Sequence, residues 1–472
     1  MFLRHVKNVD VIIVGSGFGG SIMARILRRL GRSVVMLEKG RHPRFAIGES
    51  STPLANLLLE ELARKYDLPD LATFSKWGTW QAAHPEIACG LKRGFSFYQH
   101  EWNRPVDFAD RTRQLLVAAS PHDRIADTHW YRPDFDAHLA KSAEALGAEL
   151  RQECRFELKE HEGYWEADGV RAPFLIDATG PRGCLFRHFG FAEASFDSFP
   201  KTEAVFAHFK NVRRLNADGP YPADDAALHH IFDGGWFWVL RFNNGITSAG
   251  AALTEPLARE LRISEGAGGW RRLLERLPTV RAQFENAETV TPFYFQPKVS
   301  FRSPRCAGEN WAMLPSAAGF VDPLFSTGFV LTLLGIERLA GEFESGAERA
   351  HSKTLRDDYE SKTFGELDAA ARLVASAYSA FSDFPMFVEI SRFYFASAIW
   401  SETLRRLGKS APSFLFSAEN HPPPIEQIDL AGLADASRRN WFPALASDLF
   451  ANANKIPATR LEIEAMLQRC GF

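Results

Sequence analysis

The sequence predicts an α/β fold: a Rossmann-like GxGxxG dinucleotide-binding domain, an inserted antiparallel β-sheet domain and a helical C-terminal region. Three observations carry that prediction. Residues Val11 to Ser21 read VIIVGSGFGGS, an apolar run that enters a glycine turn and then a helical pattern. Between residues 202 and 252, aromatic and β-branched runs alternate with turn residues. From about residue 350 onward the apolar spacing is helical.

Each element follows from local chemistry. Gly15 permits a tight turn, Gly17 lets backbone approach a pyrophosphate, and Gly20 lets a helix pack closely on the strand. The helix N-terminus then faces the phosphates, with Phe18 inside the turn. A second strand, Ser33 to Leu37, ends in Glu38, placed to accept hydrogen bonds from a ribose hydroxyl. Ile22, Met23, Ile26, Leu27 and Leu30 form the helix's apolar face, and Gly31 suits its C-terminal cap. Arg25, Arg28, Arg29 and Arg32 read as a solvated face. Residues 53 to 66 read as a second helix.

Residues 87 to 101, IACGLKRGFSFYQHE, are strand-like. A period of two puts Arg93, Phe95 and Phe97 on one face and Lys92, Gly94, Ser96 and Tyr98 on the other. Residues 132 to 147 read as an amphipathic helix, and 174 to 183 as an apolar strand ending in a small-residue turn. Asn244-Gly245, between WFWVLRF and ITSAGAAL, is a strong hairpin signal. It places Trp236, Trp238 and Leu240 on one face, with Phe237, Val239 and Arg241 on the other. Residues 312 to 345 return to strand–loop–helix, with a buried helix after Thr327, and the helical tail is interrupted by a loop around Pro422 to Pro424. The expected division gives residues 1–85, 125–200 and 300–345 to the dinucleotide-binding domain. It gives 86–124 and 201–299 to a substrate-binding β-sheet region, and 346–472 to the helical region.

Composition narrows the classes. A net charge of −3 gives no reason to expect a nucleic-acid partner. Phe outnumbers Tyr by 39 to 9, which predicts an aromatic interior or a pocket for a flat apolar ligand. No 18-residue uncharged apolar window and no signal-peptide pattern is seen, so no transmembrane segment is expected and a cytoplasmic location is. Cys89, Cys154, Cys184, Cys306 and Cys470 are scattered without CxxC spacing and read as reduced thiols. No metal site is expected; His229 and His230 are adjacent and cannot share one helix face.

Five segments together resemble the FAD-dependent monooxygenase superfamily and, more narrowly, the flavin-dependent halogenases of phenol and pyrrole type. They are GSGFGG with Glu38, HPRFAIGESSTP at 42–53, LKRGFSFY at 91–98, DATGPRG at 177–183 and AAGFVDPLFSTG at 317–328. The resemblance implies FAD, arriving as FADH2 from a separate flavin reductase, with chloride or bromide as co-substrate. It extends the cofactor contacts beyond the glycine turn to Lys39, Arg44, Gly48, Glu49 and Ser50, then to Asp177, Gly180, Ser316, Gly319 and Asp322. Where the superfamily loop carries Gly-Asp, this chain has Pro315-Ser316, which puts that one flavin contact in question.

The same resemblance assigns Ser326, Thr327 and Gly328 to a halide cradle, a plausible anion nest at a helix start. Lys92 matches the lysine that directs the oxidised halogen, and Lys76 in FSKWGTW is the second candidate. Its flanks Leu91 and Phe95 should desolvate Lys92 and lower its proton affinity. Tryptophan halogenases place Glu immediately before Ser-Thr-Gly; Phe325 stands there, which argues against tryptophan as substrate. Phe325, Trp236 and Trp238 are the expected substrate-pocket residues. Halogenases carry WxWxIP, whereas this chain keeps the WxW and replaces Ile-Pro with Leu240-Arg241. The leading expectation is halogenation of a small electron-rich aromatic, free or bound to a carrier protein. The alternatives are a flavin monooxygenase, an oxidoreductase resembling the geranylgeranyl reductases, and a non-catalytic flavin sensor.

Overall fold

The computed structural model describes residues 6–415 except 119, 121, 197–198, 216–220, 345–354, 407 and 409–412. The loop around Pro422 to Pro424 and Cys470 lie outside the described residues. A five-stranded parallel sheet runs in the order Trp311–Met313, Phe174–Asp177, Val11–Val14, Val34–Leu37, Glu149–Arg151. Its three central strands are buried throughout, as expected of a parallel sheet covered on both faces.

Helix Phe18–Arg29 follows the first strand directly. A Cβ on Gly20 would fall 2.0 Å from the Gly15 carbonyl oxygen, and Gly15 itself has φ +96°. Only glycine serves at either place, because the helix is pressed onto the turn that launches it. Helix Thr327–Glu344 packs beside the same helix, and one aromatic knot fastens the two starts: Phe18 meets Phe329 edge-on at 5.0 Å, and Trp130 stacks on Phe329 at 4.0 Å.

The second large element is an eight-stranded sheet. Its order is Glu288–Thr289, Thr202–Lys210, Thr247–Thr254, Gly235–Arg241, Ala227–Phe232, Gly94–Gln99, Gln114–Ala118, with Tyr294–Gln296 also paired to Thr202–Lys210. The hairpin closed by Asn244-Gly245 joins two neighbouring strands as the sequence predicts. The sheet is not wholly antiparallel. Ala227–Phe232 and Gly94–Gln99 run parallel, because the chain leaves the sheet and returns through the nucleotide-binding unit rather than through a turn. A further four-stranded sheet, built from Lys7–Asn8 and three strands between Lys159 and Ala172, was not foreseen.

Two other expectations are corrected. Arg25 is not solvated: it is 1% exposed and bonded to Asp70, since helix Pro69–Thr73 covers that side of the glycine-turn helix. The strand through Lys92 is not continuous either. Cys89–Lys92 pairs with Asp127–Trp130, and Gly94–Gln99 belongs to the large sheet. Arg93 sits at the break, donating its N–H to the Asp225 carbonyl at 2.6 Å. The interruption resets the alternation, so Lys92 faces Phe95 instead of opposing it, with Nζ 3.8 Å from the ring centre.

Helices Glu360–Ser379 and Phe384–Arg406 complete the described fold. Their Phe387, Phe395, Tyr378 and Tyr394 are buried in the main core with Phe97 and Phe325. The Phe-rich segment 380–400 is therefore core.

Candidate active site

A cavity of about 590 Å³ is lined by strands of the eight-stranded sheet and by turns that leave strands of the parallel sheet. At one end stand Gly17, Phe18 and Gly19 from the glycine turn, with Ala178, Thr179 and Gly180 from the DATG turn beside them. Its wall also takes in Trp236 and Trp238 from the large sheet, the aromatic end, and Ser326, Thr327 and Gly328, at a helix start that the Phe18–Phe329 contact ties to the glycine turn. Arg44, Ala46 through Ser50, Ser316, Gly319 and, near Trp236, Asp322 complete the parts of the wall that matter here.

Charges at the glycine end are tied down. Arg132 grips Asp136 with two bonds of 2.7 and 2.8 Å, and its Nη1 donates to the carbonyls of Ile47 and Gly48. This arginine and Asp136 are one helical turn apart, so a single helix supplies both. Glu38 accepts from the N–H groups of Ser16 and Gly40 and from Arg44 at 3.0 Å. Burial works against its charge, but Arg44 and those N–H groups outweigh it and hold the carboxyl below its usual range. Glu38 stands behind the cavity wall rather than on it, and exposed Lys39 is also off the wall.

Asp177 does not line the cavity. Its carboxylate is buried and accepts from the N–H groups of Thr179 and Leu185, so it shapes the turn that brings Gly180 to the cavity. Gly15 and Gly20 likewise act by backbone packing and do not line it. Glu49 does line the cavity, and its carboxylate meets His208 Nε2 at 2.8 Å. Ser50 lines it with a buried hydroxyl that has no protein partner.

The aromatic end contains the perturbed groups. Asp322 is 1% exposed; burial pushes its carboxyl up to about 7, against the opposing bonds from Tyr378, the Leu324 N–H and Trp236. The Tyr378 hydroxyl donates to Asp322 Oδ2 at 2.8 Å and accepts from Trp236 Nε1 at 3.1 Å. One phenol from the C-terminal helices thus joins the tryptophan strand to the loop. His229, adjacent on the wall, is held neutral by burial, its affinity lowered to about 3. Ser326 adopts a left-handed φ of +57°, and helix Thr327–Glu344 starts immediately after it. The first N–H groups of that helix have no intrahelical acceptors, and a Cβ on Gly328 would meet nothing within 4 Å. An anion-sized space at a helix start follows.

The remaining predicted residues are off the wall. Phe325 is fully buried, stacked on Tyr394 at 4.4 Å. Lys76 pairs with Glu60 at the mouth of helix Trp77–Ala83. Lys92 is fully buried behind Ser50: its ammonium bonds the Ser51 carbonyl and rests on Phe95, whose ring stacks against that of His229. Burial lowers its proton affinity well below that of an ordinary lysine. Sequence reasoning missed Tyr378, Arg132, His208 and Asp127. Only Arg132 carried a local signal, its i,i+4 spacing from Asp136.

The tryptophan halogenase family model matches residues 129–385, more than half of the chain, and an NAD(P)-binding Rossmann-like model matches 13–56. The chain belongs to the tryptophan halogenase family. Relatives in that family include the tetracycline 7-halogenase of Kitasatospora aureofaciens, 29% identical over 83% of this chain and 73% of the relative. The monodechloroaminopyrrolnitrin halogenase PrnC of Pseudomonas fluorescens is 29% identical over 84% and 72%. Among solved structures, halogenase PltM in complex with phloroglucinol and FAD aligns with a TM-score of 0.78 at 26% identity, covering 98% of this chain and 96% of that one.

This family member is a flavin-dependent halogenase-type oxidoreductase, working with FADH2 and a halide. The residues present fit FAD. The glycine turn closes without side chains, and the cavity continues past the DATG turn to the tryptophan wall, as an extended dinucleotide requires. Among the described residues no helix is long and apolar enough to cross a membrane, and no cluster of metal-ligating groups occurs.

Proposed function

We propose that this enzyme halogenates a small phenol- or pyrrole-type ring, with Lys92 delivering the oxidised halogen. The observation that carries the reading is the burial of Lys92 against Phe95 and the carbonyl of Ser51, next in the chain to Ser50 on the wall of a cavity that also holds the two tryptophans and the Ser326–Gly328 helix start. When bound, FADH2 would supply two electrons and the halide two more, so that O2 would be reduced to water and hypohalous acid. Ser326, Thr327 and Gly328 hold the halide through helix N–H groups. Arg44 and Arg132 hold the phosphates at the glycine end, and Trp236 and Trp238 exclude water at the other. The eight-stranded sheet together with helix Phe384–Arg406 forms the substrate side.

A flat ring is favoured by the aromatic packing on this side of the molecule. Phe95 rests on Lys92, and Phe97 and Phe395 pack on Phe95 in turn, surroundings that suit a flat electron-rich partner. The relatives span several substrates: one solved neighbour holds phloroglucinol, one curated relative is a 1H-pyrrole-2-carbonyl-[peptidyl-carrier protein] brominase, and another is a tetracycline 7-halogenase. A separate flavin reductase supplies FADH2.

The test is to incubate the protein with FAD, a flavin reductase, NADH, bromide and a panel of free phenols and carrier-bound pyrroles. Brominated mass shifts are expected on at least one member. Oxygenated products without bromination would favour the monooxygenase reading, to which the loss of Ile-Pro after the WxW lends its only support.

A further inference from the structure

We propose that Asp127 is a positioning residue for Lys92: its carboxylate is the counter-charge that decides whether Lys92 carries a proton when it meets the oxidised halogen. This rests on the role given to Lys92 above. The two residues are register partners in the short antiparallel pair formed by Cys89–Lys92 and Asp127–Trp130. Directly opposed side chains in such a pair rise on the same face, with Cβ atoms about 5 Å apart. Both side chains are fully buried.

The surroundings leave this pair to balance itself. Asp127 Oδ1 accepts from Asn56 Nδ2 at 2.6 Å, and Oδ2 has no hydrogen-bond partner. Among the described residues Lys92 donates only to the Ser51 carbonyl, and Asp127 is the one acid whose field bears on it. His129 and His229, from the neighbouring strands, are kept neutral by burial. On the far side of Asp127, Glu402 is bonded to Arg406 and Lys76 to Glu60. Those charges are already compensated, so they weaken the Lys92–Asp127 interaction little.

The physical consequence has a fixed sign. Burial alone strips the ammonium of its hydration and favours the amine. The facing carboxylate pulls in the other direction and restores part of the ammonium's stability, so the balance lies near neutrality rather than far below it. A lysine held there changes charge at little cost. It can polarise hypohalous acid as an ammonium or meet it as an amine, without a surface route for the proton.

The test follows the ionisation of Lys92 in the whole protein carrying FAD. Lysine labelled with ¹³C at Cε gives a Lys92 resonance, assigned by its disappearance in Lys92→Arg, which is titrated in the wild type and in Asp127→Asn. Asparagine keeps the shape and the bond from Asn56 but removes the charge. The midpoint should fall by more than one pH unit, a tenfold change in proton affinity, and the matching limb of the kcat profile should fall with it. A folded, FAD-binding Asp127→Asn protein whose midpoint is unmoved overturns the proposal. Should that variant not fold, the wild-type titration decides: a midpoint near neutrality supports the pair, and an ordinary lysine midpoint near 10 refutes it. Lys92→Ala separates the two readings, because retained bromination there removes Lys92's role, whatever Asp127 does.

Discussion

The two ends of the cavity are built on opposite electrostatic plans. At the glycine end two buried charges have close ionic partners: Asp136 with Arg132, and Glu38 with Arg44. At the aromatic end, Asp322 has only neutral donors around it; off the wall, Lys92 has no ion pair within 4 Å among the described residues. Paired charges cost little to hold and keep one state over a wide pH range. Unpaired buried groups sit at the edge of changing state. The first plan suits gripping a cofactor, and the second suits chemistry that needs a proton to move.

The largest expected effect comes from Lys92→Ala. Halogenated product should fall by at least about a hundredfold, on the scale of losing a proton-handling group, while FADH2 oxidation continues. Mass spectrometry of product beside oxygen uptake checks it; a parallel loss of oxygen uptake would mean the flavin end had been damaged too. Next is Gly20→Ala, which drives a methyl group against the Gly15 carbonyl and tests the gripping end. FAD binding, read by quenching of flavin fluorescence, should weaken by about tenfold or more, in line with the cost of overpacking.

Tyr378→Phe should have a smaller effect, in a definite direction. The phenol bond favours the Asp322 carboxylate, so removing it should let Asp322 keep its proton to higher pH. The pH limb belonging to Asp322 should rise by about one unit. Stability carries the same signature. A folded-state value of about 7, above the unfolded value near 4, gives stability that is complete below pH 4 and lost as pH rises through 7. The loss is on the order of 4 kcal/mol, and Asp322→Asn should flatten that slope in thermal melts run from pH 4 to 8. The smallest effect belongs to Lys76→Ala, whose partly exposed pair with Glu60 should change turnover by less than about twofold. A loss as deep as that of Lys92→Ala would erase the contrast between the two lysines.

The sequence was most legible where structure is local. The glycine turn and the Asn244-Gly245 hairpin are decided by a few adjacent residues, and their elements stand where expected. Legibility ended where distant segments meet. The break at Arg93 depends on the Asp225 carbonyl, more than a hundred residues away, and it alone turns Lys92 toward Phe95. Arg25 looked solvated until Asp70 reached it. Asp177 and Glu38 were read from their motifs as cofactor contacts, and the backbone N–H groups from which their oxygens also accept could not be read there, because turns fixed by the fold supply them. Tyr378 had no motif at all; only the packing of a late helix against the tryptophan strand reveals it.

Helix Phe384–Arg406 has one more consequence. It roofs the lysine side of the molecule through Phe387, Phe395 and Tyr394, yet it contributes no strand to either sheet and no residue to the cavity wall. Selection can therefore rework this roof for a new guest while the cofactor grip below stays as it is.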